Sequence, residues 1–333
     1  MISSRIRTLT VGYGPHASQC AEVYLPRGAG PHPVVALLHG GLWRASQGRD
    51  PMRPIARHLA RNGYAVLNVE YRRLGEQGAG WPGTFLDAVD GVALAGRPLR
   101  VGRATAEIPV FDASRVAIVG HCSGGHLALW AAAWLCGLWL GPEWIGPALQ
   151  EPDSTDRVEL NGRSSSLGAG RGHRESADAS TIDRPDRIGV RAVVALAPVT
   201  DLRAAERDGL DLPCPGDPTG PTGPLSSSPA RRTQAAAAEL LGGSQVAVAG
   251  RYRLGSPLEL LPVGREVAQL LIHGDADEIV PVEHSLRYAR SAERAGDRVR
   301  VARFPGMGHF DMLDPEHEAW QLAFSHLREH LDN

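Results

Sequence analysis

A cysteine in this sequence lies where a turn between a strand and a helix would make it a nucleophile. The segment Gly120-His121-Cys122-Ser123-Gly124-Gly125 follows the apolar run 116–119 and precedes a helical pattern that begins near residue 127. A sharp turn of this kind strains the backbone at its apex and requires small neighbours, which the three glycines supply. The pattern predicts a nucleophile elbow with Cys122 at its apex.

Backbone N–H groups for an oxyanion hole are predicted from two places in the sequence. The elbow itself would put the N–H of Ser123 at a helix N-terminus, where a developing oxyanion can be bound. A glycine pair in the segment His39-Gly40-Gly41-Leu42-Trp43 follows an earlier apolar strand pattern. Because glycines let the backbone approach a site closely, we expect Gly41 and Leu42 to donate beside Ser123.

A histidine and an acid at the ends of two later strands complete the catalytic set. His273-Gly274-Asp275-Ala276-Asp277-Glu278 follows the run 267–272, and Gly308-His309 follows the run 299–304. We predict that His309 exchanges protons with Cys122 and that Asp277 orients the imidazole. Other residues compete for these roles: Asp275, Glu278 and, more weakly, Asp201 for the acid, and Ser123, one residue past the apex, for the nucleophile.

Together these motifs resemble the α/β-hydrolase superfamily, specifically its esterase and kynurenine formamidase-like branch, whose motifs read HGG-x-W and GHS-x-GG. The resemblance covers roughly residues 20–135 and 190–330. At Cys122 the chain departs from the branch, which has serine there. Dienelactone hydrolases are similar to this chain at that position, since they use G-x-C-x-G, although they generally lack HGG-x-W. The resemblance implies the α/β-hydrolase fold and a Cys122-His309-Asp277 triad.

The hydrophobic pattern indicates an α/β fold with about eight strands in a mostly parallel sheet and helices on both faces. Two short, partly alternating strands come first, near 5–12 and 20–25, as at an antiparallel edge. A continuous apolar run follows at 33–38, typical of a strand buried on both faces, and the next buried strand is expected at 64–69. Later strands are expected at 116–119, 192–197, 267–272 and 299–304, and helices at 52–61, 82–95, 233–241, 283–295 and 315–330.

We expect residues 1–333 to form one domain that carries two insertions. Residues 141–190 are rich in Gly, Ser, Asp and Arg and lack apolar periodicity, which predicts a flexible polar insertion. Residues 203–250 contain a proline-rich stretch at 213–224, which predicts an irregular, lid-like insertion near the site.

Several residues near the predicted site have both a binding and a packing interpretation. Trp43 and Trp81 could line an acyl or aromatic pocket, or could pack in the core. Arg72 could bind a substrate carboxylate, although an internal ion pair with Glu70, or a hydrogen bond to a helix carbonyl, is the commoner arrangement.

Neither the two histidines that flank Cys122 nor the cysteines have the spacing of a zinc site. His121 and His126 are five residues apart, unlike the i,i+4 pair of a helical zinc site, and the four cysteines show no paired spacing. We therefore predict packing roles for these two histidines, free thiols, no metal and no cofactor. His39 and His273 are predicted to hold their loops by hydrogen bonds.

Composition limits the partners. The net charge is −2 and all 35 cationic residues are arginines spread along the chain, so neither lysine chemistry nor nucleic-acid binding is predicted. No apolar run reaches the length of a membrane span, and the N-terminal residues lack a signal-like apolar region, so we expect no membrane association and a cytoplasmic location. The predicted partner is a small-molecule acyl substrate, and a homodimer is compatible with these features.

The leading hypothesis is a hydrolase of carboxylic esters, lactones, or activated amides and thioesters, working through an acyl-Cys122 intermediate. A thiolate leaves a tetrahedral intermediate more readily than an alkoxide, so activated acyl groups suit this nucleophile best. An acyltransferase or cyclase would use the same triad. A third hypothesis is a catalytically weak binding protein on a hydrolase scaffold.

Overall fold

Eight strands form one sheet in the part of the chain that the computed structural model describes, residues 6–28, 30–98, 110–136, 188–210 and 235–332. In chain order they are β1 (Arg7–Gly12), β2 (Cys20–Leu25), β3 (His32–Leu38), β4 (Ala65–Val69), β5 (Phe111–His121), β6 (Val190–Leu196), β7 (Ala268–Gly274) and β8 (Arg298–Phe304). Across the sheet they lie in the order β1-β2-β4-β3-β5-β6-β7-β8. β2 pairs antiparallel with β1 and β4, and all the other pairs are parallel.

Helices connect the parallel strands. Those described are α1 (Arg53–Arg61), α2 (Gly83–Ala93), α3 (Ser123–Cys136), α4 (Leu202–Arg207), α5 (Ala236–Leu241), α6 (Ala249–Gly255), α7 (Glu283–Ala295) and α8 (Glu318–Leu331). Short 3₁₀ turns lie at Asp50–Met52, Leu94–Gly96, Pro257–Leu260 and Asp311–Leu313. Among the described residues, no helix combines the length and apolar content needed to cross a membrane.

The sheet separates two apolar cores, because successive residues of a strand point to opposite faces. In β3, Val34 and Leu38 belong to a core that also contains residues of α2, α3 and α7, whereas Val35 and Leu37 belong to a core with residues of α1 and α8. Every residue of β4 and of β7 is buried, as their mostly apolar sequences predict. Because β3, β5, β7 and β8 run in the same direction, the loops that follow them meet at one edge of the sheet.

The structure differs from the sequence expectation chiefly in the segment 203–250. Helices α4 and α6 were not expected there, and the predicted helix at 233–241 begins at Ala236. Asp201 caps α4 by accepting hydrogen bonds from the N–H groups of Arg203 and Ala204. Residues 137–187 and 211–234 lie outside the described residues, so the flexible and lid-like insertions stay predictions.

Candidate active site

The elbow places Cys122 between β5, which ends at His121, and α3, which begins at Ser123. Cys122 has φ 56°, in the left-handed region, and is 2% exposed. A Cβ atom at Gly120 would collide with the carbonyl oxygen of Gly124, so this turn can be this tight only with glycine there. The strained turn predicted from the sequence is thus present, with the cysteine at its apex.

His309 and Asp277 are brought together by the loops after β8 and β7. Their side chains hydrogen bond, with 2.7 Å between His309 Nδ1 and Asp277 Oδ2. Asp277 Oδ1 accepts hydrogen bonds from the N–H groups of Ile279 and Val280, each 2.9 Å long, which fixes the carboxylate. The side chain of Cys122 interacts with the same histidine and contributes to raising its pKa.

Electrostatics in this cluster favour a charged pair. Burial would raise the pKa of the Asp277 carboxyl, but hydrogen bonds from His273 and His309 hold it well below its usual range. Burial likewise opposes a charged His309, yet its hydrogen bonds to Asp277 and Cys122 raise the pKa of His309 to about 9. At neutral pH His309 is therefore a proton donor, and it can accompany a thiolate, which is the nucleophilic form of cysteine.

The rival acids have other partners. Asp275 Oδ1 accepts a hydrogen bond from the N–H of Gly306, 2.6 Å away, and Asp201 caps α4 and pairs with Arg287 at 2.8 Å. His273 donates or accepts through both ring nitrogens, at 2.7 Å from Ser285 Oγ and 2.9 Å from the carbonyl oxygen of Val280. It holds the acid loop, as predicted.

The glycine loop after β3 lies directly against the elbow. A Cβ at Gly40 would approach Cys122 Cβ to 3.0 Å, and Gly41, Leu42 and Trp43 have consecutive positive φ angles of 114°, 47° and 60°. The N–H of Trp43 points at Ser123 Oγ, 3.4 Å away. The predicted oxyanion donors Gly41, Leu42 and Ser123 therefore belong to two segments that are in contact around Cys122.

His39 anchors this loop. The ring is 1% exposed, with Nε2 2.7 Å from Glu70 Oε1 and Nδ1 2.7 Å from the carbonyl oxygen of Gly40. Both partners are acceptors, so both contacts are hydrogen bonds only when each ring nitrogen carries a proton. In a planar trans peptide the N–H points away from the C=O, so holding the Gly40 carbonyl also sets the direction of the Gly41 N–H.

Two more side chains support the site, and the sequence analysis did not assign them these roles. Tyr71 stacks on His39 with ring centroids 4.3 Å apart and donates its hydroxyl to the His39 carbonyl at 2.8 Å. His121 Nε2 lies 2.9 Å from the carbonyl oxygen of His309, and burial beside His309 lowers the pKa of His121 to about 3, so its ring is neutral. Their positions at strand ends next to the site were the signal available in the sequence.

The predicted substrate-binding tryptophans belong to one aromatic cluster. Trp43 meets His126 edge to face at 5.2 Å, His126 meets Phe85 at 5.3 Å, and Phe85 meets Trp81 at 4.9 Å. The indole nitrogens of Trp43 and Trp81 are buried and have no hydrogen-bond partner among the described residues. The cluster adjoins the elbow, because the His126 N–H donates to the Cys122 carbonyl.

Arg72 is held by a carboxylate other than the expected Glu70. Its Nε and Nη2 donate to the two carboxylate oxygens of Asp87, and both hydrogen bonds are 2.8 Å long. Asp87 is completely buried. Glu70 instead pairs with His39, Arg49 and Arg73. A role of Arg72 in substrate binding remains a prediction.

Two family models match separate parts of this chain. A family model described as BD-FAE matches residues 21–135, and the model of the prolyl oligopeptidase family matches residues 251–330. Each covers less than half of the chain. With the sheet order and the elbow, these matches show an α/β-hydrolase fold and support membership of the α/β-hydrolase superfamily.

Solved structures and curated proteins give more particular likenesses. The chain is similar to a carbohydrate esterase from gut microbiota at 21% identity with a TM-score of 0.65, over 98% of this chain and 97% of that one. It is also similar to esterase B from Lactobacillus rhamnosis at 19% identity with a TM-score of 0.65, over 98% of this chain and 85% of that one. Esterase 2 of Thermogutta terrifontis, phosphonylated by sarin, is similar at 18% identity with a TM-score of 0.60, over 97% of this chain and 94% of that one. Over 96% and 90% of its length the chain is 26% and 24% identical to the non-reducing polyketide synthases atr1 of Stereocaulon alpinum and Preu6 of Preussia isomera. It spans only 13% of either synthase.

Proposed function

We propose that this protein hydrolyses activated carboxylic esters and thioesters through an acyl-Cys122 intermediate. The observation that carries the proposal is the hydrogen bond between Asp277 and His309 at the ends of β7 and β8, together with the interaction of His309 with Cys122 at the end of β5. The likeness to three esterases supports ester hydrolysis. The cysteine favours acyl groups with good leaving groups, because a thiolate is expelled from the tetrahedral intermediate more easily than an alkoxide.

The residues have the following roles in the proposed reaction. His309 holds the thiol proton of Cys122 as an imidazolium, and the thiolate sulfur attacks the substrate carbonyl carbon while the carbonyl oxygen becomes an oxyanion. Backbone N–H groups of Gly41, Leu42 and Ser123 bind that oxyanion. On collapse the bond to the leaving group breaks, and the leaving group takes the proton from His309.

Deacylation repeats these steps with water. His309 removes a proton from a water molecule, the hydroxide attacks the acyl carbon, and the C–S bond to Cys122 breaks as the carboxylic acid forms. The proton that His309 took from water restores the imidazolium beside the Cys122 thiolate. The acyl group would lie against the aromatic cluster that contains Trp43 and Trp81.

Turnover of matched substrates tests this proposal. We would compare a p-nitrophenyl ester, a thioester and an alkyl ester of one acyl group, together with an N-formyl arylamine that probes the kynurenine formamidase-like branch. Cys122→Ala is expected to lower kcat/KM by about 10³-fold or more, since removal of a catalytic nucleophile has effects of this order. Cys20→Ala, which removes a partly exposed thiol elsewhere, serves as the matched control. Unchanged turnover in Cys122→Ala would contradict the proposal, and absence of turnover in the unmodified protein would favour the binding-protein hypothesis.

Acyl transfer or cyclisation is a second candidate, favoured by the match of nearly the whole chain to part of two polyketide synthases. The same acyl-Cys122 would then be captured by a hydroxyl or amine in place of water. Products formed from a polyketide-type acyl thioester in the presence of added alcohol distinguish the two. Mainly free acid indicates hydrolysis, and mainly the new ester indicates transfer.

A further inference from the structure

The last turns of α8 carry three potential metal ligands on one side of the helix. His326, Glu329 and His330 have i,i+3 and i,i+4 spacing, which brings side chains together on a helix surface. One donor atom of each lies within 4.8 Å of donor atoms of the other two, and the histidine ring centroids are 4.6 Å apart. The His-x-x-Glu-His spacing also occurs in a class of zinc enzymes.

The environment of His326 provides an independent observation. The side chain is buried, with 4% of the residue exposed, and its Nε2 lies 3.3 Å from the carbonyl oxygen of Ala268. Its Nδ1 is buried and has no hydrogen-bond partner among the described residues. When Nε2 donates its proton to that carbonyl, Nδ1 carries a lone pair. Metal-binding histidines usually have this arrangement, in which the second nitrogen donates to a carbonyl or carboxylate.

We propose that His326, Glu329 and His330 bind a divalent transition-metal ion of the zinc class, with water completing the coordination. Two imidazoles and one carboxylate suit zinc, nickel or copper better than magnesium or calcium. In a tetrahedral zinc site with bonds of about 2.1 Å, donor atoms are about 3.4 Å apart, so the ligands must close slightly. The side chains of His330 and Glu329 are 15% and 60% exposed and have room to do so.

Charges around this cluster act in both directions. The C-terminal end of a helix carries partial negative charge, which favours a cation near Glu329 and His330. Arg298 and Arg300 of β8 are near enough to His330 to repel a bound cation. Replacing either arginine by glutamine should therefore increase the affinity of the site, and this expectation is specific to a cation held at α8.

The proposed metal site is separate from the catalytic cysteine. His326 contacts Ala268, the first residue of β7, whereas Asp277 follows the last residue, Gly274. Seven strand residues at about 3.3 Å each separate the two edges by about 20 Å. The role that this position suggests is stabilisation of α8 against the sheet, and it does not depend on the proposed hydrolase function.

Zinc titration of variants that lack the catalytic thiol tests the proposal, because Cys122 and His309 could themselves bind zinc. In a Cys122→Ala background we would measure zinc binding by calorimetry and the thermal midpoint with and without zinc. One equivalent should bind and raise the midpoint. Adding His330→Ala or Glu329→Gln, both at partly exposed positions, should weaken zinc binding at least about tenfold. His32→Ala, a histidine of another element, is the matched control and should leave zinc binding unchanged.

Cobalt(II) provides a second readout, since ligation by imidazole and carboxylate gives no thiolate-to-cobalt charge-transfer band. Failure of Cys122→Ala to bind zinc would overturn the proposal. Equal zinc affinity with and without His330 would do so as well, because the ion would then be held elsewhere.

Discussion

Two histidine–carboxylate pairs flank Cys122, and they differ in what the second ring nitrogen meets. The distances are the same, 2.7 Å in His309–Asp277 and 2.7 Å in His39–Glu70. The other nitrogen of His309 faces a thiol, which can lose and regain a proton. The other nitrogen of His39 faces a backbone carbonyl, which can only accept. The first pair can therefore move a proton, whereas the second can only hold the oxyanion loop.

The carboxylates are also held differently. Asp277 accepts hydrogen bonds from backbone N–H groups of its own loop. Glu70 accepts one from the Arg49 N–H at 3.2 Å and, unlike Asp277, also pairs with arginine side chains, at 3.4 Å from both Arg49 and Arg73. A histidine–carboxylate pair alone is thus no indicator of a catalytic base. The chemistry follows from the third group in the series.

The largest effect should come from breaking the pair that moves a proton. Asp277→Asn keeps the shape of the site but removes the charge that orients and stabilises protonated His309, so we expect kcat to fall by about 10³–10⁴-fold. The same change should lower the pKa of His309, because its hydrogen bond to Asp277 is one of the causes that raise it. Steady-state kinetics over a pH series measures both. A loss below tenfold would mean that Asp277 is not the orienting acid.

Breaking the anchoring pair should have a smaller and different effect. His39→Asn keeps a donor but cannot reach both Glu70 and the Gly40 carbonyl, so the Gly41 N–H loses its fixed direction. We expect kcat to fall by about 10²-fold, similar to loss of one oxyanion donor, with KM little changed. Affinity for a trifluoromethyl ketone analogue should fall in parallel. Glu70→Gln should reproduce part of this loss of kcat without changing the pH profile of activity. A change of the pH profile like that expected for Asp277→Asn would contradict the distinction between the two histidine–carboxylate pairs.

The pH dependence should depend on the leaving group. His309 has its pKa raised to about 9, so its proton-donating form is present below that pH and is lost as the pH rises through it. For an alkyl ester, whose leaving group needs that proton, kcat/KM should fall about tenfold per pH unit above 9. For a p-nitrophenyl ester, kcat/KM should depend less on pH. This substrate also serves as a control for unfolding at high pH. Identical profiles for the two substrates would exclude His309 as the proton donor.

The smallest effect on catalysis is expected at Arg72. Arg72→Met leaves the fully buried Asp87 without its guanidinium partner, so the free energy of unfolding should fall by about 2–4 kcal/mol. We expect kcat and KM to change less than threefold. Urea unfolding and steady-state kinetics on the same preparation distinguish a structural role of Arg72 from substrate binding. A raised KM at unchanged stability would show that Arg72 binds substrate.

The fold was predictable where the sequence carries a strong period. Fully buried strands such as Ala65–Val69 and Ala268–Gly274 are mostly apolar, and Glu283–Ala295 matches its predicted bounds. Helices α4 and α6 were missed because they have six and seven residues, too few for a period to emerge. Capping of α4 by Asp201 and contacts with the rest of the chain fix them instead.

The site was predictable to the extent that its residues follow strand ends. Strand order brings such residues to one edge, and this located Cys122, Asp277 and His309. The partner of Arg72 was not predictable, because Asp87 reaches it from a helix fifteen residues later rather than from a neighbouring position. The spacing of His326, Glu329 and His330 is visible in the sequence. The burial of His326 Nδ1 without a hydrogen-bond partner among the described residues is visible only in the structure.

Mass spectrometry of the acylated protein tests the central claim most directly. The protein would be mixed with excess p-nitrophenyl acetate, quenched during the initial burst, and its intact mass and digest measured beside Cys122→Ala. We predict a gain of one acetyl group, mapped to Cys122 and absent from the variant, with blocking by prior iodoacetamide. Acetylation of Ser123, or turnover with no adduct and no reaction of Cys122 with iodoacetamide, would contradict an acyl-cysteine mechanism.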